Sequence, residues 1–386
     1  MVTGGEFFVG ASGSLVLNSE VNAPRPLKLS LRRAALPTET RTGLSVDSLD
    51  PLLDAASGVL PRRQWKQHGI FARGRSLIMI LPKEQRFVRH GIEIEALRIK
   101  GVTDHGAAPK LKDYKRSRHT IFKPPIEEFS IQERKLHSEK AAPDPRGYCY
   151  LEDSTVEYQV TRHASRLGLP VSYPVGLGAF TEHRYKDRPL GFMVLGISAS
   201  DDLRLHRIKG GRRGAELFVE AGMALRSLHE NGIAHWNPHH GNFFIGRDER
   251  VGVCDLEESK IFGVHTLDSE EFAVYRMRDL FGFGRNAIAY CARYWRTPVS
   301  DRLGTAFLRA AVGRGLLGLQ EGKPLESITL KSFQDVAKNF WDELRARDAS
   351  VEEVVGQAKR IPFLRGLFSE IPCGLNPKNF SSSFNF

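Results

Sequence analysis

The side chains with the greatest chemical capacity are concentrated between positions 228 and 257. In chain order, these side chains are His235, Asn237, His239, His240, Asn242, Asp255 and Glu257. Imidazole rings exchange protons near neutral pH, whereas an asparagine amide forms hydrogen bonds but cannot accept a proton. Carboxylate and amide oxygens are ligands that hard divalent cations prefer in proteins. The segment is therefore equipped for proton transfer, for metal binding or for both.

The surrounding residues predict the elements that hold these groups. A helix precedes them, because apolar residues recur on one helical face at Leu217, Phe218, Ala221, Leu225 and Leu228. We expect this helix to end at residues 231–232, where glycine follows asparagine. A short apolar hairpin follows, and Asp255 lies at its far end. Residues 235–242, which we name the polar loop, therefore lie between a helix and a hairpin.

This order resembles the H-x-D-x-x-x-x-N and D-F-G elements of protein kinases. The resemblance is closest to the aminoglycoside and choline phosphotransferases, whose loop commonly reads H-G-D-x-H-x-x-N. Matching places are occupied by His235, His239, Gly241 and Asn242. The 13-residue step from Asn242 to Asp255 equals the usual kinase interval. The resemblance implies that the protein binds ATP with Mg²⁺ and that Asn242 and Asp255 are the oxygen ligands of the metal.

Asn237 departs from that pattern, because active kinases carry at this place the aspartate that takes the proton of the acceptor hydroxyl. General-base catalysis contributes about 10²- to 10⁴-fold, whereas phosphoryl transfer rests mainly on positioning and charge stabilisation. A slow enzyme and a pseudokinase are therefore both compatible with Asn237. We take His235, Asn237 and His239 as the candidate catalytic residues. A displaced base is available in His239, His240 or Glu257, although a loop histidine also serves as a hydrogen-bonding brace.

Kinase-like proteins also resemble one another in a strand lysine that contacts ATP phosphates and pairs with a helix glutamate. The candidates are Lys100 and Glu157. The residues around them resemble the selenoprotein O family of pseudokinase-like adenylyltransferases, in which a strand ending L-K-G precedes a helix that ends before L-G-I-P. This chain has I-K-G at 99–101 and L-G-L-P at 167–170. Because that family also lacks the loop aspartate, the resemblance implies adenylyl transfer as an alternative to phosphoryl transfer.

Both candidates have structural alternatives. Lys100 is alternatively a solvated strand end, and Lys123 is the rival lysine. Ser154 and Glu157 have the spacing of a capping box, so Glu157 alternatively ties down the start of a helix.

The chain as a whole divides into a strand-rich half and a helix-rich half. Short β-prone runs predict strands of an antiparallel sheet at 76–81, 92–101, 171–180 and 191–197. Helical spacing of apolar residues predicts helices at 156–167, 269–295, 301–317 and 331–347. Together with the resemblance, this order predicts an α+β fold: a two-lobed protein-kinase-like fold with an antiparallel-sheet N-lobe and a helical C-lobe.

The domain organisation follows from the same order. We expect an extended leader at 1–59, a kinase-like N-lobe at 60–198 with an insertion at 103–147, a helical C-lobe at 199–370 and a tail at 371–386. The insertion is polar, rich in lysine and proline, and without sustained periodicity. No A-P-E motif follows Asp255, so we expect no activation segment of the kind found in regulated protein kinases.

The formal charge of +11 is concentrated partly in two patches: Lys110, Lys112, Lys115, Arg116 and Arg118, and then Arg207, Lys209, Arg212 and Arg213. Such patches attract phosphate-rich partners, including nucleotides and nucleic acids. We favour solvated loops over a nucleic-acid interface, because few aromatic residues interleave for base stacking.

The cysteines and the hydropathy of the chain limit the classes of protein to which it can belong. The four cysteines are scattered and form no C-x-x-C pair, which favours neither a zinc knuckle nor a disulfide framework. No apolar run approaches the roughly 20 residues that span a bilayer, and the N-terminus lacks the order of a secretory signal. We therefore expect a cytoplasmic protein without a membrane span.

The function that these observations predict is transfer of a phosphoryl or adenylyl group from ATP, with Mg²⁺, to an acceptor. The sequence does not identify the acceptor, which is a protein or a small molecule. Two alternatives are kept. The first is a pseudokinase that binds nucleotide as a scaffold or regulator, and the second is a basic nucleic-acid-binding protein on an inert kinase scaffold.

Overall fold

The structure is a computed structural model of the chain. It describes residues 13–14, 26–27, 29–33, 49–57, 60–73, 76–89, 92–102, 128–139, 148–198, 205, 208, 211–246, 250–266, 268–295, 300–345 and 349–368. Some sequence predictions concern residues outside these ranges: Lys123, Lys110, Lys112, Lys115, Arg116, Arg118, Arg207, Lys209 and the tail at 371–386. The predicted leader and insertion are each described only in part.

The secondary structure of the described ranges is mixed. The α-helices are α1 (Asp50–Ser57), α2 (Leu151–Arg166), α3 (Arg212–Glu230), α4 (Ser269–Trp295), α5 (Asp301–Leu308), α6 (Lys323–Glu326), α7 (Leu330–Arg345) and α8 (Val351–Ala358). The strands are β1 (Gly13–Ser14), β2 (Pro26–Leu27), β3 (Leu29–Arg33), β4 (Ile70–Arg73), β5 (Ser76–Ile80), β6 (Phe87–Arg89), β7 (Ile92–Ile94), β8 (Ala96–Lys100), β9 (Glu128–Gln132), β10 (Lys135–Glu139), β11 (Cys149–Tyr150), β12 (Tyr173–Tyr185), β13 (Arg188–Ile197), β14 (Ile233–Ala234), β15 (Phe243–Ile245), β16 (Val251–Val253) and β17 (Lys260–Ile261). Short 3-10 helices occupy Arg62–His68, Lys83–Gln85 and Pro362–Phe368, and a π-helix occupies Arg309–Leu316.

The chain divides into two compact units. The first comprises Met1–Arg116, Pro143–Asp202 and Ser382–Phe386, and the second comprises Ser117–Ala142 and Leu203–Ser381. The sequence placed the whole insertion at 103–147 in the N-lobe, whereas its middle part belongs to the second unit. The reason is the β9–β10 hairpin, whose Leu136 N–H donates to the carbonyl of Ala349 at 2.9 Å.

The first unit is built around an antiparallel sheet in the order β3-β12-β13-β8-β5-β4, and β11 also pairs with β13. β-branched and aromatic residues such as Ile99, Phe192 and Val194 pack in its core and are fully buried. Residues 92–101 form two strands instead of the predicted one. β7 pairs with β6 and β8 pairs with β5 and β13, so the chain exchanges partners at Glu95, which an alternating sequence does not reveal.

The second unit is mainly helical. The predicted apolar face of α3 is buried at Leu217, Phe218, Ala221, Leu225 and Leu228. The helices predicted at 269–295 and 331–347 are found as α4 and α7. The predicted helix at 301–317 is instead α5 followed by a π-helix, which lies close to α3. The predicted α+β class, with an antiparallel sheet preceding a helical part, is therefore confirmed.

None of the helices in the described part of the chain combines the length and the apolar character needed to cross a bilayer. Within the described part of the chain, Cys149, Cys254 and Cys291 form no disulfide bond.

The contact between α3 and the π-helix is tight enough to predict the effect of one methyl group. A Cβ on Gly222 would lie 2.4 Å from the carbonyl oxygen of Ala311. We expect Gly222→Ala to lower the free energy of unfolding by about 1–3 kcal/mol, because backbone atoms have to move. Chemical denaturation measures the change.

Gly356 on α8 provides the matched control. Apart from its chain neighbours and the nearby backbone of α8, no atom of the described residues lies within 4 Å of a Cβ built at this position. Gly356→Ala should raise the free energy of unfolding by about 0.5–1 kcal/mol, since alanine favours the helix. Similar effects of the two substitutions would contradict the close approach at Gly222.

Candidate functional site

In the first unit, Lys100 and Glu157 form a buried ion pair. Lys100 is the last residue of β8, opposite Met193 of β13 and Ser76 of β5. Glu157 lies on α2, which packs against β12 and β13. Lys100 Nζ is 2.8 Å from Glu157 Oε2, and the two residues are 8% and 3% exposed. The structure thus brings together two residues that the sequence proposed as partners.

This contact decides against both structural alternatives. The burial of Lys100 excludes a solvated strand end. α2 begins at Leu151 with Tyr150 as its N-cap, so Ser154 and Glu157 lie inside the helix and form no capping box. A buried ion pair contributes little net stability, because desolvation of the two charges offsets their attraction. Its main effect is to hold an ammonium group at a defined place on the sheet.

In the second unit, the β15–β16 hairpin positions Asn242 and Asp255. Its strands pair antiparallel over three residues each. Beyond the ladder, the N–H of Cys254 donates to the carbonyl of Asn242 at 3.0 Å. Asp255 is the next residue, so both predicted metal ligands lie at the same end of the hairpin. The length of the hairpin therefore explains the spacing that the sequence shows.

The amide of Asn242 is held in one orientation. Its Nδ2 donates to the carbonyl of Asn237 at 3.0 Å, and its backbone N–H donates to the carbonyl of His239 at 2.8 Å. With Nδ2 engaged, Oδ1 is the amide atom suited to a cation. Asp255 has φ 67°, a left-handed conformation that aspartate adopts more readily than most residues. Carboxylate and amide oxygens form a donor set that fits Mg²⁺.

His235 is a brace of this arrangement. Its ring is fully buried, and its Nε2–H donates to the carbonyl of Cys254 at 3.1 Å. Its Nδ1 accepts the N–H of Asn237 at 3.4 Å, which defines the neutral tautomer. Burial lowers the pKa of His235 below its ordinary value, although the charge of Asp279 acts in the opposite direction. Both ring nitrogens are thus occupied with backbone groups, and His235 holds the residue before Asp255.

Asn237, His239 and His240 are the more accessible side chains of the polar loop. Asn237 is exposed, and its backbone carbonyl also accepts the N–H of His239 at 2.8 Å. Nδ1 of His239 accepts the N–H of Gly241 at 3.0 Å, so its neutral ring carries the proton on Nε2. His240 has the opposite tautomer, because its Nδ1–H donates to Oδ1 of Asn286 at 3.0 Å. Of the two rings, His240 therefore has the tautomer in which Nε2 can accept a proton.

Asp279 on α4 holds the beginning of the polar loop. It is fully buried, and its Oδ2 accepts the N–H of His235 at 2.6 Å while its Oδ1 accepts the N–H of Trp236 at 2.7 Å. Nε2 of His229, near the end of α3, donates to the same carboxylate at 2.9 Å. Burial lowers the pKa of His229, and the hydrogen bond to Asp279 opposes that effect. One carboxylate thus joins α3, α4 and the loop.

Sequence reasoning missed the role of Asp279, although a signal was present. Asp279 is a carboxylate in the middle of a stretch of α4 whose residues 271–284 are all buried. A carboxylate at such a position needs donors around it. The sequence did not show which donors, because His229, His235 and Trp236 lie 43 to 50 residues away along the chain.

No family model matches the chain, and no curated protein matches it. Among the solved structures that match is the Rio2 kinase–ADP/Mg²⁺–phosphoaspartate complex from Chaetomium thermophilum. Its TM-score is 0.31, its identity is 12%, and the match covers 71% of this chain and 70% of that chain. A likeness at this level does not bear on the activity of the present chain.

The three hydrogen bonds to Asp279 generate a prediction. In Asp279→Asn, an amide N–H₂ replaces one acceptor oxygen and faces a backbone or imidazole donor. We expect the free energy of unfolding to fall by about 2–4 kcal/mol, because buried donors lose a charged acceptor. Urea denaturation measures the change. Asp301→Asn at the exposed start of α5 is the control, and an equally small effect at both positions would refute the role of Asp279.

Proposed function

We propose that the protein binds ATP with Mg²⁺ and transfers a phosphoryl or adenylyl group to an acceptor hydroxyl. The observation that carries the proposal is the end of the β15–β16 hairpin, where an oriented amide and a carboxylate lie at the same end of the two strands. When bound there, Mg²⁺ would neutralise the charge of phosphate oxygens. The neutral, fully buried His235 keeps the backbone before Asp255 in place.

Each unit supplies groups of the kind that ATP binding requires. In the first unit, the ammonium of Lys100 is fixed by Glu157 and is suited to phosphate oxygens. In the second unit, Asn242 and Asp255 supply the oxygen ligands. The exposed amide of Asn237 can hydrogen-bond an acceptor hydroxyl but cannot take its proton. The side chain of His240 has the tautomer of a proton acceptor and is the candidate for a displaced base.

Asn237 favours a second candidate function, a pseudokinase that binds nucleotide as a scaffold or regulator. The nucleic-acid alternative is less favoured. Within the described part of the second basic patch, Arg212 lies 3.0 Å from Glu216, and Arg213 lies 3.4 Å from Glu220. These carboxylates on the same helix reduce the charge available to a phosphate backbone.

The proposed function predicts that the protein binds nucleotide in a metal-dependent manner. ATP with Mg²⁺ should raise the midpoint of thermal unfolding, since a ligand at about 100 times its Kd stabilises the native state by about 2.7 kcal/mol. Asp255→Ala should abolish the Mg²⁺-dependent part of the rise. Glu321→Ala, at an exposed carboxylate, should leave it unchanged. Absence of any rise in the wild type would exclude the proposed nucleotide site.

The second prediction concerns Asn237 and separates the enzyme from the pseudokinase. Within the described part of the chain, the hydrogen bonds of Asn237 use its backbone, so Asn237→Asp should fold normally. The added carboxylate should increase transfer by about 10²- to 10⁴-fold, the usual contribution of a general base. Label incorporated into a product other than a nucleotide, phosphate or pyrophosphate measures the rate, with γ-labelled ATP reporting phosphoryl transfer and α-labelled ATP reporting adenylyl transfer. If the wild type and Asn237→Asp both bind Mg²⁺–ATP but neither transfers label, the pseudokinase is the correct alternative.

A further inference from the structure

The β9–β10 hairpin reaches the polar loop through one aromatic side chain. Phe129 of β9 is 1% exposed. Its ring centroid lies 4.9 Å from that of Trp236 and 5.4 Å from that of Tyr275, with which it is stacked at an interplanar angle of 4°. Phe340 of α7 contacts it edge-on at 6.4 Å. Phe129 therefore forms one wall of the environment of Trp236.

The backbone of Trp236 has φ 75°, which is unusual for a bulky residue. Such a conformation persists only where the surroundings fix it. The guanidinium of Arg278 lies 3.5 Å from the Trp236 ring centroid, and the ammonium of Lys260 lies 5.2 Å from it. The side chain is thus held by Phe129 and by cations, while Asp279 accepts the backbone N–H.

The tip of the hairpin is anchored independently. Glu133 and Arg134 both have positive φ, as a type I′ two-residue hairpin turn requires. The guanidinium of Arg134 pairs with Asp268, with Glu352 and, at 3.1 Å, with Glu270. Oδ1 of Asp268 also accepts two N–H groups at the start of α4, each at 2.9 Å. The hairpin is therefore fixed to the helix that carries Asp279.

A short chain of contacts leads from Phe129 to the predicted metal ligand. Trp236 precedes Asn237, whose carbonyl accepts Nδ2 of Asn242 at 3.0 Å. A rotation of the backbone at Trp236 would move this carbonyl and would thereby turn the amide of Asn242. The position of the Asn242 oxygen consequently depends on the side chain of Phe129.

We propose that the β9–β10 hairpin is the positioning element of the polar loop and that Phe129 is a positioning residue for the Mg²⁺ ligand Asn242. The inference rests on the proposed function in that it assigns a metal to Asn242. It adds that a hairpin from the segment between Lys100 and Glu157 sets the geometry of the loop. In this chain the loop is supported through an aromatic contact to Trp236, reinforced by the pairing of Arg134.

The experiment compares Phe129→Leu with the wild type by calorimetric titration of ATP, once with Mg²⁺ and once in EDTA. Groups that orient metal ligands typically change metal affinity by 10- to 100-fold when altered. We therefore expect the Kd of Mg²⁺–ATP to rise by about 10- to 100-fold, while the Kd of metal-free ATP stays the same. Phe307→Leu, at a buried phenylalanine that contacts Phe218 and Tyr290, is the control for lost packing. It should leave both constants unchanged.

Trp236 supplies a signal that does not depend on nucleotide. The difference between the fluorescence spectra with and without Trp236→Phe isolates its emission from that of the other three tryptophans. Phe129→Leu should shift this emission to longer wavelength, and Phe307→Leu should not. Arg134→Gln, at a half-exposed position, is the second variant. It should raise the Kd of Mg²⁺–ATP and shift the Trp236 emission, each by less than Phe129→Leu does.

The outcomes separate the two proposals. An unshifted Trp236 emission, or an unchanged Kd of Mg²⁺–ATP in a wild-type background that binds it, would overturn the positioning role of Phe129. A wild type that does not bind Mg²⁺–ATP would overturn the proposed function. In that case the assignment of a metal ligand falls with it, and the fluorescence still decides whether Phe129 holds Trp236.

Discussion

A carboxylate without access to water has to be surrounded by donors, and Asp279 obtains its donors from the polar loop and from α3. Two of these donors are successive backbone N–H groups, at His235 and Trp236. Successive peptide groups can point to one acceptor only if the backbone turns sharply between them. The buried charge on α4 therefore dictates the path of the chain at the start of the loop. The positions of Asn237 and Asn242 follow from that path.

The sharp turn has an energetic cost that neighbouring side chains offset. A left-handed tryptophan costs on the order of 1–3 kcal/mol. The charged hydrogen bond from its N–H to Asp279 contributes about 1.5–3 kcal/mol, and its ring gains contacts with Phe129 and Arg278. The strain at Trp236 is thus of the same size as the interactions that hold it. The interactions balance the strain only when α4, the β9–β10 hairpin and the polar loop are all in place.

The sequence predicted those features that depend on local patterns or on short spacings. The helices α3, α4 and α7, the β15–β16 hairpin and the Lys100–Glu157 pair were predicted from periodicity and from matching motifs. The partner exchange at Glu95 and the π-helix at Arg309–Leu316 were not, because both arise from contacts with distant elements. Phe129 was assigned to an insertion without periodicity, since five-residue strands in a polar segment give little signal. The burial of Phe129 depends on Trp236, Tyr275 and Phe340, which follow more than 100 residues later.

The backbone hydrogen bonds that shape the polar loop do not depend on the side chain of Asn237, which would decide whether the loop can accept a proton. Asn237 contributes its N–H to His235 and its carbonyl to His239 and Asn242, and an aspartate would offer the same backbone groups. The amide at position 237 therefore changes the proton-accepting capacity of the loop without changing its shape. The amide of Asn242 is likewise oriented by the backbone carbonyl of Asn237 and not by the Asn237 side chain. The proposed metal ligand and the proposed transfer step are therefore separate properties of the loop: an amide at position 237 removes a proton acceptor and leaves Asn242 in the same orientation.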